Sequence, residues 1–175
     1  MPTNMNDPIA PKPLYNIATM TSVQPGSTFK VITGLAALEN GLDPYYQILD
    51  KGVIEMGGRT FGCWIWNERG GNHGYENLMD ALRDSCNYYF YSVSVGYNYA
   101  TDTPLPVKMK AEDVLTYSKL FGLDQKTGIQ IEEIAGKVPN PASKAQGLSY
   151  RLESDLNRRM RTYFNDFDSK DPKYE

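Results

Sequence analysis

The segment Gln24-Pro25-Gly26-Ser27-Thr28-Phe29-Lys30 reads as a turn that feeds a helix, with Ser27 and Lys30 in its first turn. Residues three apart on a helix share a face, so the backbone holds the Ser27 hydroxyl and the Lys30 ammonium close together. A serine hydroxyl is a weak nucleophile until a nearby base takes its proton. Lysine becomes such a base when burial lowers its pKa. The pair therefore points to an activated serine nucleophile. A second short cluster, Ser85-Cys86-Asn87, interrupts what otherwise reads as helix.

Composition bounds what surrounds this chemistry. The chain has 175 residues, 41% hydrophobic and 22% charged, which suits one domain with a real core. A formal net charge of -3 offers no basic face for nucleic acid. Cys63 and Cys86 have no metal-ligand spacing and form no disulfide framework, so they read as two free small thiols. No metal and no cofactor are expected. His73 is the chain's one histidine, so any Ser-His-Asp triad would have to use it. It lies in Gly70-Gly71-Asn72-His73-Gly74, and a lone loop histidine reads as a surface or packing residue. No run of 18 apolar residues is present to span a membrane, and the polar start shows no signal peptide.

The elements that must hold these residues follow from periodicity. Residues 1–14, with Pro2, Pro8, Pro11 and Pro13, read as an extended lead-in. An apolar helix is predicted over Ser27 to Glu39, stopped by Asn40-Gly41. Its apolar character places it centrally in the domain. Tyr46 to Leu49 and Val53 to Met56 read as short strands, with turns at Lys51-Gly52 and Gly57-Gly58. The glycine-rich loop at 70–74 has no GxGxxG pattern and reads as plain loop. Helices are predicted at Tyr75 to Asp84, Tyr88 to Tyr97 and Ala111 to Phe121, and a short strand at Ile129-Gln130-Ile131. Leu148, Leu152, Leu156, Met160 and Phe164 then recur every four residues, an amphipathic helix with Arg151, Glu153, Arg158, Arg159 and Arg161 on its polar side. The expected division is 1–14, 15–138 and 139–175, the last ending in a polar tail from Asp166.

Pro25-Gly26-Ser27-Thr28-Phe29-Lys30 resembles the active-site signature of penicillin-binding proteins. The stretch from His73-Gly74-Tyr75 to Ser85-Cys86-Asn87-Tyr88-Tyr89-Phe90 resembles the family's second-motif region. Phe121-Gly122-Leu123 with Lys126-Thr127-Gly128-Ile129 resembles a segment just beyond it. The likeness covers residues 14 to 135 and is to a class B, high-molecular-weight transpeptidase domain. It implies an α/β (α+β) serine acyltransferase fold of the penicillin-binding-protein/β-lactamase type. This chain would be mostly the helical part, with much of the central sheet missing. It also implies a peptidoglycan D,D-transpeptidase that cross-links stem peptides ending in D-Ala-D-Ala through a serine acyl-enzyme, and that β-lactams acylate. Carried over residue by residue, Ser27 is the nucleophile, Lys30 its base and Ser85 a proton relay to the leaving group. Asn87 would hold the substrate amide. The implied setting is the cell envelope, at the outer face of the cytoplasmic membrane and within a cell-wall synthesis complex, with no anchor in this chain.

The family's third motif, a strand-borne Lys-Thr/Ser-Gly, is spelled by Lys126-Thr127-Gly128. That segment follows the helix stop at Gly122 too closely to be the true one. The expectation is therefore the front part of a transpeptidase domain, weak or inactive alone. Two other enzyme or binding readings stand beside it. A serine β-lactamase would need a glutamate to activate the deacylating water, with Glu112, Glu132 and Glu133 formally available. A β-lactam sensor would keep Ser27 and Lys30 without turnover. The plain alternative is a helical scaffold in which Ser27 only caps a helix.

Overall fold

The computed structural model describes residues 15–107, 109–138 and 140–165, with side chains as far as residue 160. The predicted lead-in at 1–14 and the tail from Asp166 lie outside the described residues, as do the side chains of Arg161 and Phe164. The chain divides into two compact units, Met1–Val138 and Pro139–Glu175.

In the first unit, a short helix α1 (Ile17–Met20) precedes a single 3-10 turn at Gly26–Phe29, which runs directly into α2 (Lys30–Glu39). The predicted helix from Ser27 is thus split, with the serine in the tighter turn. Helix α2 buries Ile32, Thr33, Gly34, Ala36 and Ala37, a wide face of mostly small residues that lets neighbouring helices approach. A Cβ on Gly34 would lie 3.2 Å from Leu78 Cδ1, within range of Phe90 as well. Helices α4 (Leu78–Arg83), α5 (Asn87–Val95) and α6 (Ala111–Leu120) pack around it. Central placement of this helix is what its apolar sequence predicts. The core joins Ala36, Ala37 and Leu42 to Ile48, Ile54, Leu78, Tyr89 and Val93.

The strands form three two-stranded antiparallel ladders: β1 (Ile48–Asp50) with β4 (Gly74–Glu76), β2 (Val53–Met56) with β3 (Arg59–Gly62), and β5 (Tyr97–Asn98) with β6 (Thr103–Pro104). The Gly57-Gly58 turn closes the β2–β3 hairpin, with φ of 57° and 72°. Several expectations change. Trp64–Arg69 forms a helix, α3, between the predicted strands and the glycine-rich loop. The glycine-rich loop ends in strand β4, and the helix predicted from Tyr75 begins three residues later, capped by Asn77 Oδ1 on the Met79 and Asp80 amides. Pairing with β1 outweighs local helix propensity at Tyr75 and Glu76. No strand forms at Ile129-Gln130-Ile131, where the chain bends and has no ladder partner among the described residues.

Among the described residues the second unit is one helix, α7 (Pro141–Asn165), longer than its apolar stripe alone predicts. Asn140 caps its start, its Oδ1 accepting the Ser143 amide at 2.8 Å while Ser143 Oγ accepts the Asn140 amide at 3.0 Å. Leu148, Leu152, Leu156 and Met160 are each more than half exposed.

Candidate active site

Gly26 opens the nucleophile turn at φ +60°, a conformation open to glycine at no steric cost. Thr28 Oγ1 closes the turn on Pro25 O at 2.7 Å. Ser27 is exposed at its apex, and its carbonyl accepts the Lys30 amide. Its hydroxyl makes no hydrogen bond to another described residue, so it stands open to a ligand. Lys30 is held by the second motif. Its Nζ donates to Ser85 O at 2.6 Å, Ser85 Oγ at 3.0 Å and Asn87 Oδ1 at 2.6 Å. The Phe90 ring lies 5.7 Å from the same nitrogen, a cation–π approach. Lys30, Ser85 and Asn87 thus meet, although the two motifs are remote in sequence. Burial pulls the Lys30 pKa below its ordinary value, opposed by the charges of Cys63 and Cys86.

The second motif is held by backbone geometry. Helix α4 ends in a Schellman arrangement, with Cys86 N bonded to Ala81 O at 2.9 Å and Ser85 N to Leu82 O at 3.4 Å. Ser85 occupies its left-handed position at φ 52°. A side chain held there carries strain, and here it aims the hydroxyl at Lys30. Cys86 then caps α5, its sulfur accepting the Tyr89 amide.

Beneath the motif lies a buried polar cluster. Asp50 is 1% exposed. Its Oδ1 accepts the Gly52 amide at 2.6 Å, while its Oδ2 accepts the His73 amide at 3.1 Å and the Cys86 thiol at 3.4 Å. His73 Nδ1 sits 2.8 Å from that same Oδ2 and 3.6 Å from Cys63 Sγ. Cys63 Sγ in turn accepts the Asn87 amide at 3.2 Å. Both cysteines are free and buried. One ligand atom from each of Asp50, Cys63, His73 and Cys86 lies within 4.8 Å of every other. Two thiols, an imidazole and a carboxylate so close make a donor set suited to tetrahedral zinc.

The thiols share their acidity. The Cys86 hydrogen bond pulls Cys63 well below the usual thiol range, and the same contact with burial pushes Cys86 up. Burial works against charge on His73, but the Asp50 hydrogen bond and the Cys63, Asp50 and Glu76 charges together raise its pKa.

Both thiols are free, as their spacing predicts, and His73 is packed against Asp50; what the fold adds is that all four groups converge. Chain spacing could not find this set, because the β1–β4 pairing brings Asp50 beside the His73 loop. The available signal was that the chain's one histidine and both cysteines fall between positions 63 and 86.

Lys126-Thr127-Gly128 lies in a loop, not on a strand. Glu133 closes that loop by accepting Thr127 Oγ1 at 2.8 Å and the Gly128 amide at 2.7 Å. That glutamate is thereby occupied in the loop. A strand-borne third motif is absent from the described residues.

This combination of helical core and two converging motifs has its match among known proteins. The family model described as penicillin binding protein transpeptidase domain covers residues 1–155, and the chain belongs to that family. Stage V sporulation protein D of Bacillus subtilis is 34% identical over 122 residues, 67% of this chain and 16% of that protein. Peptidoglycan D,D-transpeptidase MrdA of Acinetobacter baumannii is 31% identical over 135 residues, 76% of this chain and 18% of that protein. The solved structure of penicillin-binding protein PBP2 from Helicobacter pylori aligns with a TM-score of 0.64 at 28% identity, covering 77% of this chain and 23% of its own. PBP2 in its complex with MreC, also from Helicobacter pylori, gives 0.65 at 27% identity over 78% and 23% of the two chains. The fold is thus the penicillin-binding-protein type. The chain spans about a fifth of the length of the curated relatives it matches.

Proposed function

We propose that the chain carries the nucleophile and base of a peptidoglycan D,D-transpeptidase acting by a serine acyl-enzyme, in the cell envelope. The observation that carries this reading is the hydrogen bonding of Lys30 Nζ to both Ser85 Oγ and Asn87 Oδ1, which unites the first and second motifs behind an exposed Ser27. In this mechanism Ser27 Oγ attacks the penultimate D-Ala carbonyl of a stem peptide and its proton passes to Lys30. Ser85 relays a proton to the departing D-alanine nitrogen, leaving an ester on Ser27. An amine from a neighbouring strand then attacks the ester and regenerates the hydroxyl. Asn87 holds the substrate amide. A β-lactam follows the first half of this path and stops at the ester.

No strand-borne third motif lines the site among the described residues, so these supply neither the oxyanion donor nor the carboxylate anchor that such a motif carries. Loss of one such donor costs on the order of 10²–10³ in rate. This chain alone is therefore expected to acylate slowly. The test is mass spectrometry after long incubation with a penicillin. A slow adduct mapping to Ser27, lost in Ser27→Ala with about 1 kcal/mol or less of stability change, is the expected result. An adduct elsewhere sinks the nucleophile assignment, and a fast stoichiometric one sinks the argument from the missing strand.

The four-donor cluster serves the same site as a closed structural centre. Asp50, Cys63, His73 and Cys86 would hold a zinc ion, whose chemistry there is to neutralise buried thiolates and cross-link β1, the β4 loop and the second motif. One zinc per chain by elemental analysis, and a lower melting temperature after chelation, are expected. A chain purified with zinc supplied that contains none overturns the assignment.

A further inference from the structure

Two buried polar atoms near this cluster lack partners: His73 Nε2 and Glu76 Oε2. Each is what the other needs. His73 meets the cluster through Nδ1, at 2.8 Å from Asp50 Oδ2 and 3.6 Å from Cys63 Sγ. If Nδ1 gives its lone pair to a metal, the neutral ring must carry its proton on Nε2, which then becomes a buried donor without an acceptor. Glu76 is 2% exposed and its Oε2 is a buried acceptor without a donor.

The ladder sets Glu76 beside Asp50, the carboxylate that holds His73 Nδ1. In the β1–β4 ladder Asp50 opposes Gly74 and Ile48 opposes Glu76. Asp50 and Glu76 are diagonal neighbours on one face of the pair, and both are buried. The carboxylates around Glu76 have other company. Arg83 binds Asp80 at 2.8 Å and Asp84 at 2.7 Å, so those two charges are already answered. Glu76 has no such cation among the described residues. Its carboxyl shares a hydrogen bond with that of Asp84. An N–H polarised by a metal is the kind of partner that offsets the cost of burying this carboxylate oxygen.

We propose that Glu76 is a positioning residue of the metal centre: its carboxylate accepts the Nε2–H of His73, directly or through one buried water, when Nδ1 ligates the metal. Metal-bound histidines almost always donate their second nitrogen in this way, which fixes the ring and raises its basicity. Glu76 thereby governs metal affinity without touching the ion. Through Cys86, which lies between Ser85 and Asn87, it also bears on the two acceptors of Lys30.

This inference rests on the zinc reading above, and the experiment separates the two. Cobalt(II) is the probe, titrated into the metal-free chain against a chromophoric chelator while thiolate-to-cobalt charge-transfer bands are followed. The wild-type chain is expected to bind with thiolate bands, lost in Cys63→Ser. Glu76→Met, which keeps bulk but removes the acceptor, is expected to weaken binding 10–100-fold. Glu76→Gln, which keeps one acceptor oxygen, is expected to lose less. A wild-type chain that takes up no cobalt overturns the metal reading and this inference with it. Equal affinity of wild type and Glu76→Met overturns the inference alone. Should Glu76→Met fail to fold, proton NMR of the zinc-loaded wild type decides: a slowly exchanging, strongly downfield Nε2–H on His73 supports the bond, and its absence overturns it.

Discussion

Ser85 is the residue on which the site turns, and it sits in a conformation that most side chains avoid. Its φ of 52° closes the end of α4, and its hydroxyl and carbonyl both receive Lys30 Nζ. Stability and chemistry therefore separate at this position. Glycine relieves the left-handed strain while alanine retains it, so Ser85→Gly should be about 1 kcal/mol more stable than Ser85→Ala. Both should lose Ser27 labelling to a similar extent. Denaturant titration beside penicillin labelling checks this, and equal stability of the two variants refutes the strain argument. Lys30 adds a pH signature. A base must be neutral, and burial holds this lysine below its ordinary value of 10.5, against the Cys63 and Cys86 charges. Labelling should climb with pH as the ammonium loses its proton and level off below 10.5. A rate still climbing there counts against Lys30 as the base.

At the scale of elements, the ends of helices and strands carry the site. The Lys51-Gly52 turn brings Asp50 under the second motif, with the Gly52 amide bonded to its carboxylate. Gly52 has φ +89°, and a Cβ there would lie 2.4 Å from the Trp66 ring. Gly52→Ala should therefore weaken metal uptake and lower the melting temperature together. Unchanged metal affinity in that variant would separate the turn from the cluster. The Lys126-Thr127-Gly128 loop has a different anchor. Burial resists charge on Glu133, but the Gly128 amide and the Thr127 hydroxyl hold its acid below the ordinary value of 4.5. A depressed carboxylate contributes stability above its unfolded pKa and loses it as pH falls through the folded one. The Gly128 amide resonance should accordingly titrate with a midpoint below 4.5 while Ser27 labelling at neutral pH survives Glu133→Ala. A midpoint at or above that value removes the anchor.

Over the whole molecule, the hydrophobic core lies entirely within Met1–Val138. Helix α7 stands on 25 residues with its leucines exposed. Ending the chain at Val138 should leave cooperative unfolding with little change in midpoint, as followed by near-ultraviolet circular dichroism. Loss of the cooperative transition would show that the first unit leans on the second. The family match reaches residue 155 and so takes in the first part of α7.

What the amino-acid sequence determined by itself was local. The proline-glycine turn before Ser27, the apolar run to Glu39, the break at Ser85-Cys86-Asn87 and the four-residue stripe of α7 each follow from neighbouring residues, because turn chemistry and helical period act over a few positions. The loop character of Lys126-Thr127-Gly128 followed in the same way from its closeness to the stop at Gly122. Only the tertiary structure decided which groups meet. Lys30 reaches Asn87 because α2 and α5 pack together, and Asp50 reaches His73 because β1 pairs with β4. These contacts join residues remote along the chain, and they are chosen by core burial and strand register, quantities that a local pattern of side chains does not encode.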